Sequence, residues 1–87
     1  MKINFIIYVL LSKSDNNFYV GYTTNLKKRL DDHNSGRVKS TSARRPFEVV
    51  YYEVCYNQKD ALHREIYLKS TYGKRYIKNR LKNYLIG

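Results

Sequence analysis

Short runs of β-branched and aromatic residues alternate along the chain with longer polar stretches of helical spacing. Residues 3–11 are almost entirely apolar and give way to the polar run Ser12 to Asn17, the pattern of a strand followed by a turn. Phe18-Tyr19-Val20-Gly21-Tyr22 is a second short strand, so the two should form a hairpin across Asp15-Asn16-Asn17. Thr24 stands where a helix N-cap belongs, and Leu26 and Leu30 share one side of a helix running to about Asn34, with Gly36 as its stop. Arg37 to Arg45 is basic and rich in Ser and Thr, and reads as an exposed loop. Pro46 closes it, and having no amide hydrogen fits the start of a strand but not its middle. Phe47 to Val54 is the third strand. Asn57 with Asp60 resembles a helix start, and a helix is expected from about Gln58 to Ser70, its inward face set by Ala61, Leu62 and Ile66. Gly73 should break it, and Ile77, Leu81, Tyr84 and Leu85 mark a last amphipathic helix. The predicted order is ββαβαα, an α/β (α+β) fold in which a small, three-stranded, mostly antiparallel sheet is flanked by helices.

Composition narrows the class. A chain of 87 residues has room for one domain, expected over 1–87. Its 43% hydrophobic and 28% charged residues are the balance of a folded protein and argue against disorder. The uncharged run Phe5 to Leu11 is far short of the roughly 20 residues of a membrane helix. Although Lys2 is basic, no small-residue cleavage site follows that run, and the single Cys55 has no partner for a disulfide. A cytoplasmic protein with no membrane partner is expected. Seventeen Lys and Arg against seven Asp and Glu leave a net charge of +10, which favours a polyanionic partner, nucleic acid first among them. Ribosome-bound and membrane-surface proteins share such charge, so it does not decide alone.

Among the candidate chemical groups, Glu65 is the most telling, because its spacing from Ala61 and Leu62 puts a carboxylate on or beside the packing stripe. An ordinary Glu65–Lys69 helix pair is one explanation. The other is a carboxylate held at a cleft to bind a divalent cation, since magnesium often takes only one or two protein carboxylates. Arg29 and His33 lie one helical turn apart and can project into one site, and Tyr8 and Tyr19 fall on adjacent strands.

Taken in order, these residues resemble the GIY-YIG nuclease family over about Asn4 to Lys74. The first half-motif reads Ile6-Ile7-Tyr8 and the second Tyr19-Val20-Gly21. Asn25-Leu26-Lys27-Lys28-Arg29-Leu30 follows, then His33-Asn34, and later Ala61-Leu62-His63-Arg64-Glu65 with Lys69. The spacing and the basic loop Lys39 to Pro46 look most like the small stand-alone members, similar to the N-terminal nuclease domain of the excision-repair endonuclease. The resemblance implies phosphodiester hydrolysis with one divalent cation, Mg²⁺ or Mn²⁺, held by Glu65 as sole protein ligand. It implies Tyr8 as general base or water-positioning group, Tyr19 beside it, Arg29 on the scissile phosphate and His33 assisting. Arg37, Lys39, Arg44, Arg45, Lys69, Lys74 and Arg75 are the expected nucleic-acid contacts. Ile6 replaces the first Gly of the family motif, Tyr22 stands where repair-type members carry Lys, and an expected Asn falls on Ile77, with Asn79 nearby. The expected function is metal-dependent DNA endonuclease, in repair or recombination, acting as a nucleoid-associated monomer or weak homodimer. A non-cleaving DNA- or RNA-binding module on the same fold is the alternative.

Overall fold

The computed structural model describes residues 3–87, so the expectation drawn from Lys2 lies outside the described residues. Three strands, β1 (Phe5–Ser12), β2 (Phe18–Thr23) and β3 (Phe47–Cys55), form one antiparallel sheet in the order β2-β1-β3. The most continuously apolar strand takes the centre, because only there are both faces covered. From Ile7 to Ser12 every residue of β1 is buried. Alternation along β1 then divides the core. Ile7 and Val9 pack with Val20, Ala61, Leu68 and Ile77 on one face, while Tyr8 and Leu10 pack with Phe47, Leu26 and Leu30 on the other.

Helix α1 (Leu26–Asn34) covers the Tyr8 face. Its N-cap is Asn25 and not Thr24: the Asn25 side chain accepts from the Lys28 amide at 3.1 Å, so the helix opens one residue later than expected. The segment expected as an exposed loop instead contains a 3-10 turn, Lys39–Arg44, with Thr41 buried. Polar residues at its surface hid that single inward side chain.

On the opposite face lie α2 (Gln58–Lys69) and α3 (Thr71–Arg80), followed by the short α4 (Lys82–Ile86). The inward face of α2 is corrected by the structure. Ala61 and Leu68 are buried, whereas Leu62 and Ile66 are 39% and 69% exposed. Arg64 explains this rotation: it donates to both Glu53 oxygens of β3 at 2.9 Å and lies over the rings of Tyr67 and Tyr76. That pairing fixes which side of the helix meets β3 and α3. The break expected at Gly73 falls at Ser70, whose extended backbone ends α2 and whose hydroxyl accepts from the Gly73 amide to start α3. Gly73 is buried inside α3, where an added Cβ would lie 2.2 Å from the Tyr67 carbonyl oxygen. It is there for close approach of the α2 backbone. The expected last helix is likewise two helices, separated at Leu81.

Candidate functional site

Pairing of β1 with β2 sets Tyr8 opposite Gly21 and Leu10 opposite Tyr19, so Tyr8 and Tyr19 are diagonal neighbours on one face. Their ring centroids are 6.4 Å apart. The Tyr8 ring lies over Gly21, where a Cβ would stand 2.3 Å from the phenolic oxygen. Any larger residue at 21 would occupy the space of the Tyr8 side chain. Glycine in the second half-motif is thus the floor beneath the tyrosine of the first.

Helix α1 brings two further groups to the same oxygen. His33 Nε2 is 2.9 Å from Tyr8 Oη, and Arg29 Nε donates to it at 3.4 Å. Arg29 and His33 project together because they are one turn apart. His33 is wholly buried, its ring edge-on to Tyr19 and Phe47 at centroid distances of 5.0 and 5.7 Å. Its other nitrogen, Nδ1, is 2.8 Å from Thr41 Oγ1. Burial pushes the Tyr8 phenol above its ordinary pKa, opposed by the Arg29 hydrogen bond. Burial, with the Arg29 charge beside it, lowers His33 and favours the neutral imidazole. The Tyr8 hydrogen bond raises Arg29 further, so the guanidinium stays charged.

Glu65 does sit on the packing stripe of α2, with its side chain only 17% exposed and Lys69 Nζ 3.0 Å from Oε2. Its charge also reaches Tyr8 and contributes to raising the phenol. Among the described residues no group of three or more His, Cys, Asp and Glu gathers to hold a metal. A lone carboxylate of this kind fits a hard divalent cation only as one ligand among water and phosphate oxygens. Lys69 and Lys74 line a crevice of about 190 Å³ floored by Val9, Val20, Leu68 and Ile77 and bordered by Tyr19. Ile77 is core, and Asn79 lies in a separate cleft with Tyr67, Tyr72, Arg75 and Tyr76, so neither side chain stands with Glu65.

The other expected nucleic-acid contacts are dispersed. Arg37 pairs with Asp32 at 3.0 Å, Lys39 is exposed at the start of the 3-10 turn, and Arg75 lines the outer cleft of α3. Arg45 Nε donates to the Ser42 carbonyl at 2.8 Å. Arg44 is committed within the protein: Nε donates to Asp15 at 2.6 Å, Nη2 donates to the Asn17 and Phe18 carbonyls, and its own carbonyl accepts from Ser12 Oγ. It thereby fastens the 3-10 turn to the β1–β2 hairpin. Asn34 fastens the far side, exchanging two hydrogen bonds with the Phe47 backbone at 2.7 and 3.1 Å. Sequence reasoning did not single out Thr41, nor the role of Gly21 as a floor. Thr41 stands in a run of hydroxyl residues that look alike, whereas Gly21 lay in plain view within its motif.

The model of the GIY-YIG catalytic domain matches residues 4–81. A UPF0213 protein of Pediococcus pentosaceus is 40% identical over 82 residues, covering 93% of this chain and 86% of the relative. The UPF0213 protein YazA of Bacillus subtilis is 38% identical, covering 83% and 73%. The solution NMR structure of the UPF0213 protein BH0048 from Bacillus halodurans superposes with a TM-score of 0.55 at 32% identity, covering 87% of this chain and 83% of that one. With its paired tyrosine strands, its Arg29–His33 helix face and a domain match across nearly its whole length, the chain belongs to the GIY-YIG family.

Proposed function

We propose that this protein is an endonuclease that hydrolyses phosphodiester bonds of DNA with one divalent cation, Mg²⁺ or Mn²⁺, in repair or recombination. GIY-YIG domains are those of a nuclease family that acts on nucleic acid, generally with a divalent metal. The observation that carries the reading is the Tyr8 phenol, buried over Gly21 and contacted at one oxygen by both Arg29 and His33. A core tyrosine needs one hydrogen-bond partner, not a guanidinium and an imidazole on the same oxygen. The cation, held by Glu65, would supply Lewis-acid stabilisation of the charge on the phosphate.

This chain's own residues account for the remaining work. Tyr8 orients the attacking water and takes its proton, passing its own phenolic proton to His33. Arg29 stays charged through the reaction and stabilises the additional negative charge on the phosphate, the kind of fixed electrostatic aid that carries most phosphoryl chemistry. Tyr19 walls the site against bulk water through its packing on His33. Lys69 and Lys74 receive flanking phosphates. The Glu65–Lys69 pair opens when substrate arrives, because a phosphate competes for the ammonium.

That same pair favours a second reading, a nucleic-acid-binding module whose carboxylate is permanently neutralised by Lys69. Cleavage of labelled single-stranded, duplex and branched DNA and of RNA, with Mg²⁺, Mn²⁺ or EDTA, separates the two. The nuclease reading expects metal-dependent cutting that Glu65→Gln abolishes. Binding without cutting, indifferent to EDTA, supports the module.

A further inference from the structure

We propose that Thr41 is a positioning residue that fixes the His33 tautomer, so that Nε2 is left bare to take the Tyr8 proton. The inference rests on the nuclease reading for its purpose but not for its geometry. Thr41 is 1% exposed, and its hydroxyl lies between two groups of opposite need. The Val38 carbonyl, 3.3 Å away, can only accept, so the Thr41 hydroxyl donates to it. The remaining lone pairs of Oγ1 then accept from His33 Nδ1–H at 2.8 Å. With the hydrogen on Nδ1, Nε2 carries a lone pair facing Tyr8 Oη at 2.9 Å.

The Tyr8 end agrees independently. Arg29 Nε–H donates to the phenolic oxygen, so the phenol O–H needs an acceptor within a buried site, and His33 Nε2 provides it. The opposite tautomer would place two N–H groups on that oxygen and take away the acceptor its own hydrogen uses. A directed chain results: Tyr8 O–H to His33 Nε2, His33 Nδ1–H to Thr41, and Thr41 O–H to the Val38 carbonyl. When Tyr8 receives a proton from water, its original proton passes to Nε2. The imidazolium so formed keeps Nδ1–H on Thr41 and later returns the extra proton to solvent through Tyr8. No other reagent is consumed.

The basic Ser/Thr segment thereby acquires a role beyond charge. The 3-10 turn that presents Thr41 is clamped by Arg44 to the hairpin, and the His33 helix is clamped by Asn34 to β3. Both ends of the Thr41–His33 contact are therefore held by side chains far apart in sequence.

The test is ¹⁵N spectroscopy of the His33 ring in the wild type, Thr41→Val and Thr41→Ser, with kcat and KM measured on whichever DNA the wild type cuts. We expect a protonated Nδ1 and a bare Nε2 in the wild type and Thr41→Ser. Thr41→Val should show mixed or reversed tautomers and lose about 10- to 100-fold in kcat with little change in KM, by analogy with the hydrogen-bonding partners of metal-bound histidines. A protonated Nε2 in the wild type overturns the proposal outright, with no variant required. So does a Thr41→Val protein that keeps both tautomer and kcat, or a Thr41→Ser protein as impaired as the valine variant. Wild-type protein that cuts no substrate would instead overturn the nuclease reading, and the spectra would still decide the Thr41 assignment.

Discussion

Tyr8 Oη is the atom on which the site converges, and its surroundings make it sensitive to small changes. Gly21→Ala puts a methyl into the space of a tyrosine ring that is itself 1% exposed and has nowhere to retreat. Overpacking of this kind costs about 1–3 kcal/mol, so chemical denaturation should show a loss in that range together with loss of cleavage. The histidine adds a pH dependence. Burial first, then the Arg29 charge, lowers His33, with Asp32 opposing, so the neutral imidazole persists below its ordinary pKa of 6.5. Because the folded pKa is the depressed one, the stability that His33 contributes is present above 6.5 and is lost as pH falls through the folded value. The acid limb of kcat/KM should therefore lie below 6.5, and a limb above it would contradict a neutral, buried His33.

At the level of elements, two clamps decide how the 3-10 turn and α2 sit. The Asp15 carboxyl is held at about 2, chiefly by its hydrogen bond from Arg44. Its contribution to fastening the turn is present above the usual carboxylate pKa, 3.8, and is lost as pH falls through about 2. The Thr41 amide resonance should shift over that window, and Arg44→Ala should move it to the released position already at neutral pH. The three strands and the β1–β2 hairpin were legible from the apolar runs, whereas the central place of β1 emerges from its burial on both faces. The grouping of Tyr8, Tyr19, Arg29 and His33 was legible because two adjacent strands and two helix positions one turn apart bring these side chains to one face. The rotation of α2 was not, because Leu62, Ile66 and Leu68 are equivalent by hydrophobicity alone. Arg64 reaching Glu53 on a distant strand chooses among them. Gly73 misled for a related reason: within a sequence it marks a break, whereas here it marks where the Tyr67 and Leu68 backbone passes α3.

Across the whole molecule, part of the set of seventeen Lys and Arg behind the +10 charge is already engaged within the protein. Lys13, Lys28, Arg37, Arg44, Arg64 and Lys69 each pair with a carboxylate. Exposed pairs add about 0–1 kcal/mol to stability and open readily to a phosphate, but the Arg44 guanidinium, held also by the Asn17 and Phe18 carbonyls, does not. Lys74→Ala should accordingly flatten the dependence of log affinity on log salt by roughly 0.7–0.9, the value of one phosphate contact. Arg44→Ala should lower thermal stability with little effect on that slope, and the reverse pattern would place the nucleic acid over the 3-10 turn. Among the described residues no helix is long and apolar enough to cross a membrane.

The most direct measurement is cleavage by Tyr8→Phe, which keeps the ring over Gly21 and removes only the oxygen that Arg29 and His33 contact. The account predicts metal-dependent cutting by the wild type, none by Tyr8→Phe, and equal DNA affinity for the two. Cutting by Tyr8→Phe at the wild-type rate would contradict it, and would return Tyr8 to the core as a packing residue.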